Sequence, residues 1–122
     1  NNTVNKNIST LTGTFTRNVF KTWDYSTISR YASGSFRQQL RWDTIHNQFD
    51  MYQKSCGFIT NDYSISNKIS YKLDGFKLAY SAESMNRIKC NKGALILTLS
   101  WVKAPNSDNW KISQFNLSAD QL

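Results

Sequence analysis

The sequence predicts an α+β domain in which three N-terminal helices pack on a curved antiparallel sheet of four to five strands. Three observations predict it. Apolar residues of the first half recur at the helical period, those of the second half alternate with polar ones, and an Asp74-Gly75 pair sits between two alternating runs.

The chain opens on NNTVNKNIS, rich in Asn, Thr and Ser, so residues 1–9 read as a polar linker and 10–122 as a single domain. Leu11, Phe15, Val19, Phe20 and Trp23 then form one apolar stripe, which predicts a first helix over Thr10–Trp23. Ser26 is placed to cap a short second helix carrying Ile28 and Tyr31. Ser35 can cap a third, from Phe36 to Lys54, with Phe36, Leu40, Ile45, Phe49 and Tyr52 near the helical period. Gly57 stands where a glycine stop is expected.

Beyond Gly57 the period changes to two. Phe58–Ile65 reads as a first strand. Ile69, Tyr71 and Leu73, then Phe76, Leu78, Tyr80 and Ala82, flank Asp74-Gly75 as the arms of a hairpin. A two-residue turn at Asp74-Gly75 pairs Leu73 with Phe76, Tyr71 with Leu78 and Ile69 with Tyr80, setting all six on one face, expected to be buried. Ser84–Gly93 reads either as an extension of this strand or as a loop. Ala94–Val102 is a central strand with Leu95, Leu97, Leu99 and Trp101 on one face. Trp110–Leu117 is the last strand. Its apolar parity switches between Ile112 and Phe115, which predicts a bulge or twist there.

A chain of 122 residues can bury about two-thirds of its unfolded surface, enough for a core of its own. Aromatic residues at 14% exclude a disordered composition, and the longest apolar run, Ala94–Leu97, is too short to span a bilayer. Fifteen Lys and Arg against eight acids give a net charge of +7, but the basic residues are scattered singly and form no block or nucleic-acid signature. The expected partner is therefore a protein with an acidic surface, with homo-oligomerisation open and no nucleic acid. Membrane attachment is expected only through an anchor ahead of the polar linker, which suits a periplasmic or other extracytoplasmic domain.

Residues suited to catalysis are few. His46 is the only histidine; Asp43 and Asp50, three before and four after it, can share its helix face, as a dyad or as surface neighbours. Asp74, Asp108 and Asp120 fall in a turn, a loop and the tail, and no carboxylate sits inside an apolar alternation. One His and two Cys match no metal spacing, so no metal, cofactor or catalytic residue is assigned. Cys56 and Cys90 form a disulfide in an oxidising compartment, or remain two thiols in a reducing one. Trp42 falls beside the main stripe of the third helix, next to Arg41. With Tyr52 further along, these are the candidate binding residues, the Trp either as an exposed interface anchor or half-buried against the sheet edge.

The whole-chain pattern resembles the nuclear-transport-factor-2-like (cystatin-like) superfamily over about residues 10–119. The resemblance rests on Phe20-Lys21-Thr22-Trp23-Asp24-Tyr25-Ser26 leading into a short second helix, on Tyr31-Ala32-Ser33 followed by a long helix ending at Gly57, and on a terminal hairpin from Gly93–Leu99 to Trp110-Lys111-Ile112. It implies a cone-shaped α+β fold whose members range from isomerase-like enzymes to periplasmic domains of secretion-assembly factors. Together these features lead to a non-enzymatic interaction or assembly module of the cell envelope, such as a secretion or conjugation component. The alternative is a small-molecule binder or an isomerase- or dehydratase-like enzyme using the cone interior.

Overall fold

A computed structural model describes residues 2–120. Helix α1 (Asn2–Phe20) is followed by a 3-10 turn (Tyr25–Thr27), α2 (Ile28–Tyr31), α3 (Gly34–Gln39) and α4 (Trp42–Cys56). Four strands then follow, β1 (Ile59–Asp74), β2 (Lys77–Cys90), β3 (Ala94–Lys103) and β4 (Lys111–Ala119). They form one open antiparallel sheet in the order β1-β2-β3-β4. The fold is α+β, with the helices on one face of the sheet.

The expected linker is helical. Of residues 1–9, Asn1 lies outside the described residues, and the rest belong to α1. Val4, Ile8, Leu11, Phe15 and Val19 extend one stripe at helical spacing, and Ile8 is fully buried. Burial of that stripe outweighs the weak helix propensity of Asn and Thr. The helix also ends earlier than its stripe, at Phe20. Asp24 N–H donates to Val19 O at 2.8 Å, and Trp23 takes a left-handed backbone (φ 56°) to make that closure. Such a φ is costly for Trp. It is offset by packing of the Trp23 ring on Phe20 and Phe49, at 5.2 and 5.7 Å, and by its indole bond to Gly57 O.

The caps shift as well. Asp24, not Ser26, caps the 3-10 turn, and Ser33, not Ser35, caps α3 by accepting from Phe36 N–H. The single third helix is two, because Leu40 and Arg41 are extended. Phe36 and Leu40 stand one turn apart, but Ile45 follows five residues later, about 140° round an unbroken helix. A break at Leu40-Arg41 lets both sets of side chains reach the core. Gly57 ends α4 with φ +86°, as expected.

Strand β1 joins two runs expected as separate strands, with bulges between Ile59 and Asn61 and between Ser64 and Ser66. Ser84–Cys90 continues β2. The expected bulge near the start of β4 is present: Ser100 pairs with Gln114 and Trp101 with Ile112, leaving Ser113 as the extra residue. The hairpin turn lies one residue later than Asp74-Gly75. Asp74 pairs with Lys77, Leu73 with Leu78 and Tyr71 with Tyr80, so Gly75 and Phe76 form the loop. Since each partner moves by two residues, the apolar side chains keep their common face, and Lys72 meets Ala79 rather than Lys77.

On the helix-facing side of the sheet, Trp101, Leu95, Leu97, Leu99, Ile88 and Ile112 pack beneath Phe15, Val19, Phe20 and Phe49. A buried polar chain crosses this core. Trp101 Nε1 donates to Thr12 Oγ1 (3.0 Å), which donates to Ser84 Oγ (2.9 Å), which donates to Asn67 Oδ1 (2.7 Å). Asn67 Nδ2 returns to Ser9 and Asn5 of α1. The chain satisfies polar groups of α1, β1, β2 and β3 at once. A Cys56–Cys90 disulfide ties the end of α4 to the end of β2.

Candidate functional site at the uncovered end of the sheet

Strand β3 stops pairing with β2 at the Lys103–Tyr80 rung, so the β1-β2 hairpin projects beyond it as a two-stranded ribbon. Near the start of α1, Val4 packs over the core-facing side beside Ile69. Past that point the side expected to be buried is open. Tyr71 and Leu73 are each 70% exposed, Leu78 is 39% exposed, and Phe76 at the turn is fully exposed. The periodicity indicated one apolar face, and that face exists; beyond Ile69 its side chains are exposed among the described residues.

The apolar surface continues inward as a row of rings. Tyr71 and Tyr80 are 6.3 Å apart, and Tyr80 and Trp110 are 6.2 Å apart. The Lys103 ammonium lies 5.3 Å from the centre of the Tyr80 ring, a cation–π contact. A groove of about 300 Å³ runs between Val4, Ile69, Tyr71, Leu78 and Tyr80. Beside it, a larger cleft of about 680 Å³ has Tyr31 and Trp110 on its walls and Arg30, Lys103 and Lys111 against the single carboxylate of Asp108. Lys77 donates to Asn106 Oδ1, which fastens the ribbon to the β3-β4 loop. One end of the molecule thus presents apolar and aromatic surface rimmed by cations.

Comparison with protein-family models, with curated proteins and with solved structures finds no match for this chain.

The residues singled out from the sequence lie elsewhere. Trp42, 37% exposed at the start of α4, rests on Tyr25 at 6.0 Å, with Arg41 exposed beside it. Tyr52 is half-buried against the core, so its ring is committed to packing. His46 and Asp50 are exposed, with Nε2 and Oδ2 3.4 Å apart, and the His46 ring lies edge-on to Tyr25 at 5.4 Å. Asp43 does not pair with it. Among the described residues, no three of His, Cys, Asp and Glu gather as a metal site would require.

Among the described residues, two groups carry displaced proton affinities. Hydrogen bonds from Ser26, hydroxyl and then backbone N–H, hold Asp24 below the ordinary carboxylate range. The Tyr63 hydroxyl, and then the charge of Asp120, push Arg87 further up. The first is a helix cap. The second ties β1 and β2 to the segment after β4 on the outer side of the sheet. Neither group lines the cleft or the groove.

The hairpin site was visible in the sequence as an apolar run around a turn, but alternation does not say whether a face is covered. Only the packing of the helices on the sheet reports that, and the lysines on adjacent strands meet only in the fold.

Proposed function

We propose that this chain is a non-enzymatic interaction module which docks an acidic protein partner on the uncovered end of its sheet. The exposure of Tyr71, Leu73 and Leu78 on one face of the ribbon, with Phe76 exposed at its turn, carries this reading. An apolar patch rimmed by polar residues is the usual mark of a protein interface. Lys72, Lys77, Lys103 and Lys111 around it, with a net charge of +7, favour an acidic partner and raise its association rate. The interior under α1 and α4 is filled by Phe15, Phe49 and Trp101, which favours a docking surface over an enzyme working inside a cone.

Trp42 and Arg41 form a second, smaller patch, to which we assign an accessory contact. The Cys56–Cys90 disulfide suits an oxidising, extracytoplasmic compartment, and no helix among the described residues is long and apolar enough to cross a membrane. Helices followed by an antiparallel sheet are also the order of the nuclear-transport-factor-2-like fold. By that resemblance we place the module in an envelope assembly of the secretion or conjugation type.

The test is a photo-activated cross-linking residue placed at Leu73, at Trp42 or at outer-face Asn116 of β4 in living cells. The reading predicts one discrete protein adduct from Leu73, a weaker one from Trp42 and none from Asn116. No adduct at Leu73, or a small apolar molecule bound in its place, contradicts it.

A further inference from the structure

Exposure along the hairpin is graded. On the innermost rung Trp101 and Ile112 are fully buried, Ala82 is nearly so and Ile69 is half-buried. Further out, Tyr80 is half-buried while its β1 partner Tyr71 is 70% exposed, and Leu78 is 39% exposed while its β1 partner Leu73 is 70% exposed. Cover is lost toward β1, and β1 is an edge strand: in the order β1-β2-β3-β4 its outer side pairs with no strand among the described residues. The opposite edge is treated differently. There Ala32 bridges to Ile112, and Ser33 N–H donates to Ile112 O, so β4 is partly closed.

The two bulges of β1 lie at or before Ser66, and from Asn67 to Asp74 its register with β2 is unbroken. That stretch is an uninterrupted edge, along which alternate backbone N–H and C=O groups point away from β2. Its side chains alternate: Ile69, Tyr71 and Leu73 toward the core side, Lys68 and Lys72 on the other. Glu83 stands opposite Lys68 in the ladder, whereas Lys72 faces Ala79 and pairs with no carboxylate among the described residues.

We infer that β1 accepts an added strand over Asn67–Leu73, donated by a partner segment in which apolar and acidic residues alternate. Its apolar side chains lie beside Ile69, Tyr71 and Leu73, and its carboxylates beside Lys68 and Lys72 on the other face. Backbone hydrogen bonds supply the attachment and the alternation supplies the selectivity. This rests on the interaction-module reading and adds the mode of binding and the pattern of the partner.

The probe is a capped synthetic peptide, Val-Glu-Val-Ser-Val-Glu-Val, titrated into the oxidised, isotope-labelled protein. Expected are slowed exchange, by at least tenfold, of alternate backbone amides between Asn67 and Leu73, and at least tenfold weaker binding when Lys replaces Glu in the peptide. A peptide N-methylated on the edge that would face β1 keeps every side chain but loses those donors, and should also bind at least tenfold more weakly. Equal binding of the N-methylated peptide overturns strand addition while leaving docking on the apolar face intact. Protection at β4 instead of β1, or no binding of the parent peptide, overturns it too. Protection of β1 that rises with protein concentration without peptide identifies a second copy as the occupant and overturns the acidic-segment proposal. The in-cell cross-link from Leu73 reads the broader function independently of all these outcomes.

Discussion

The indole of Trp101 donates to the hydroxyl of Thr12 at 3.0 Å, 89 positions apart in the chain and fully buried. Through this bond the longest helix is held to the middle of the sheet, and Thr12 passes the connection on to Ser84. Replacing Thr12 with Val keeps the shape but leaves the Trp101 N–H without its acceptor. We expect Thr12→Val to destabilise the protein by about 1–3 kcal/mol, with a changed tryptophan emission. Equilibrium denaturation followed by fluorescence measures both.

Two glycines should respond differently to the same substitution. Gly57 and Gly75 both have positive φ, 86° and 68°. A Cβ at Gly57 would come within 2.1 Å of Asn91 Oδ1, the acceptor for Phe58 N–H, whereas at Gly75 it would meet nothing within 4 Å. Gly75→Ala should cost about 1 kcal/mol, the backbone term alone. Gly57→Ala should cost more than 2 kcal/mol by adding loss of the Asn91 bond to that term. Denaturant midpoints of the two variants test the order.

Reduction should weaken the fold without changing it. The disulfide closes a loop of 34 positions between α4 and β2, and the chain-entropy relation gives about 3–4 kcal/mol for that length. Cys56→Ser/Cys90→Ser should lose about that much in denaturation and still yield the same pattern of backbone amide shifts.

Asp24 carries an acid limb of the stability curve. Its carboxylate is held below the ordinary range by the Ser26 hydroxyl and backbone N–H, so the unfolded chain takes up its proton first as pH falls. The contribution is complete above the unfolded value of about 3.9 and is lost as pH drops through the lower folded value. Thermal unfolding between neutral pH and the acid limit should therefore show a shallower acid slope for Asp24→Asn than for the native protein.

Much of the fold can be read from the sequence because apolar spacing reports which side of an element faces inward. Leu95, Leu97, Leu99 and Trp101 announce the buried side of β3, the parity change between Ile112 and Phe115 announces a bulge, and Gly57 announces the end of α4. What spacing cannot report is how far the cover extends. The start of α1 is masked by Asn and Thr even though Val4 and Ile8 continue its stripe, and the hairpin face is apolar but uncovered. The turn register is displaced for a related reason: a slip of two preserves every facing, so hydrophobic pattern alone does not distinguish the two pairings. The candidate site inherits both blind spots. Trp42 is conspicuous in sequence as a Trp off the stripe, while Tyr71, Leu73 and Leu78 look like core.

The most direct measurement combines Tyr71→Ser, Leu73→Ser and Leu78→Ser in one chain and reads two quantities from it. One is the melting temperature of the purified protein; the other is the in-cell photo-cross-link from Phe76. Side chains exposed for a partner contribute little to the isolated fold, so we predict a melting temperature close to that of the native chain and loss of the protein adduct. A large fall in melting temperature with the adduct retained would show that these residues hold the domain together and that its partner binds elsewhere.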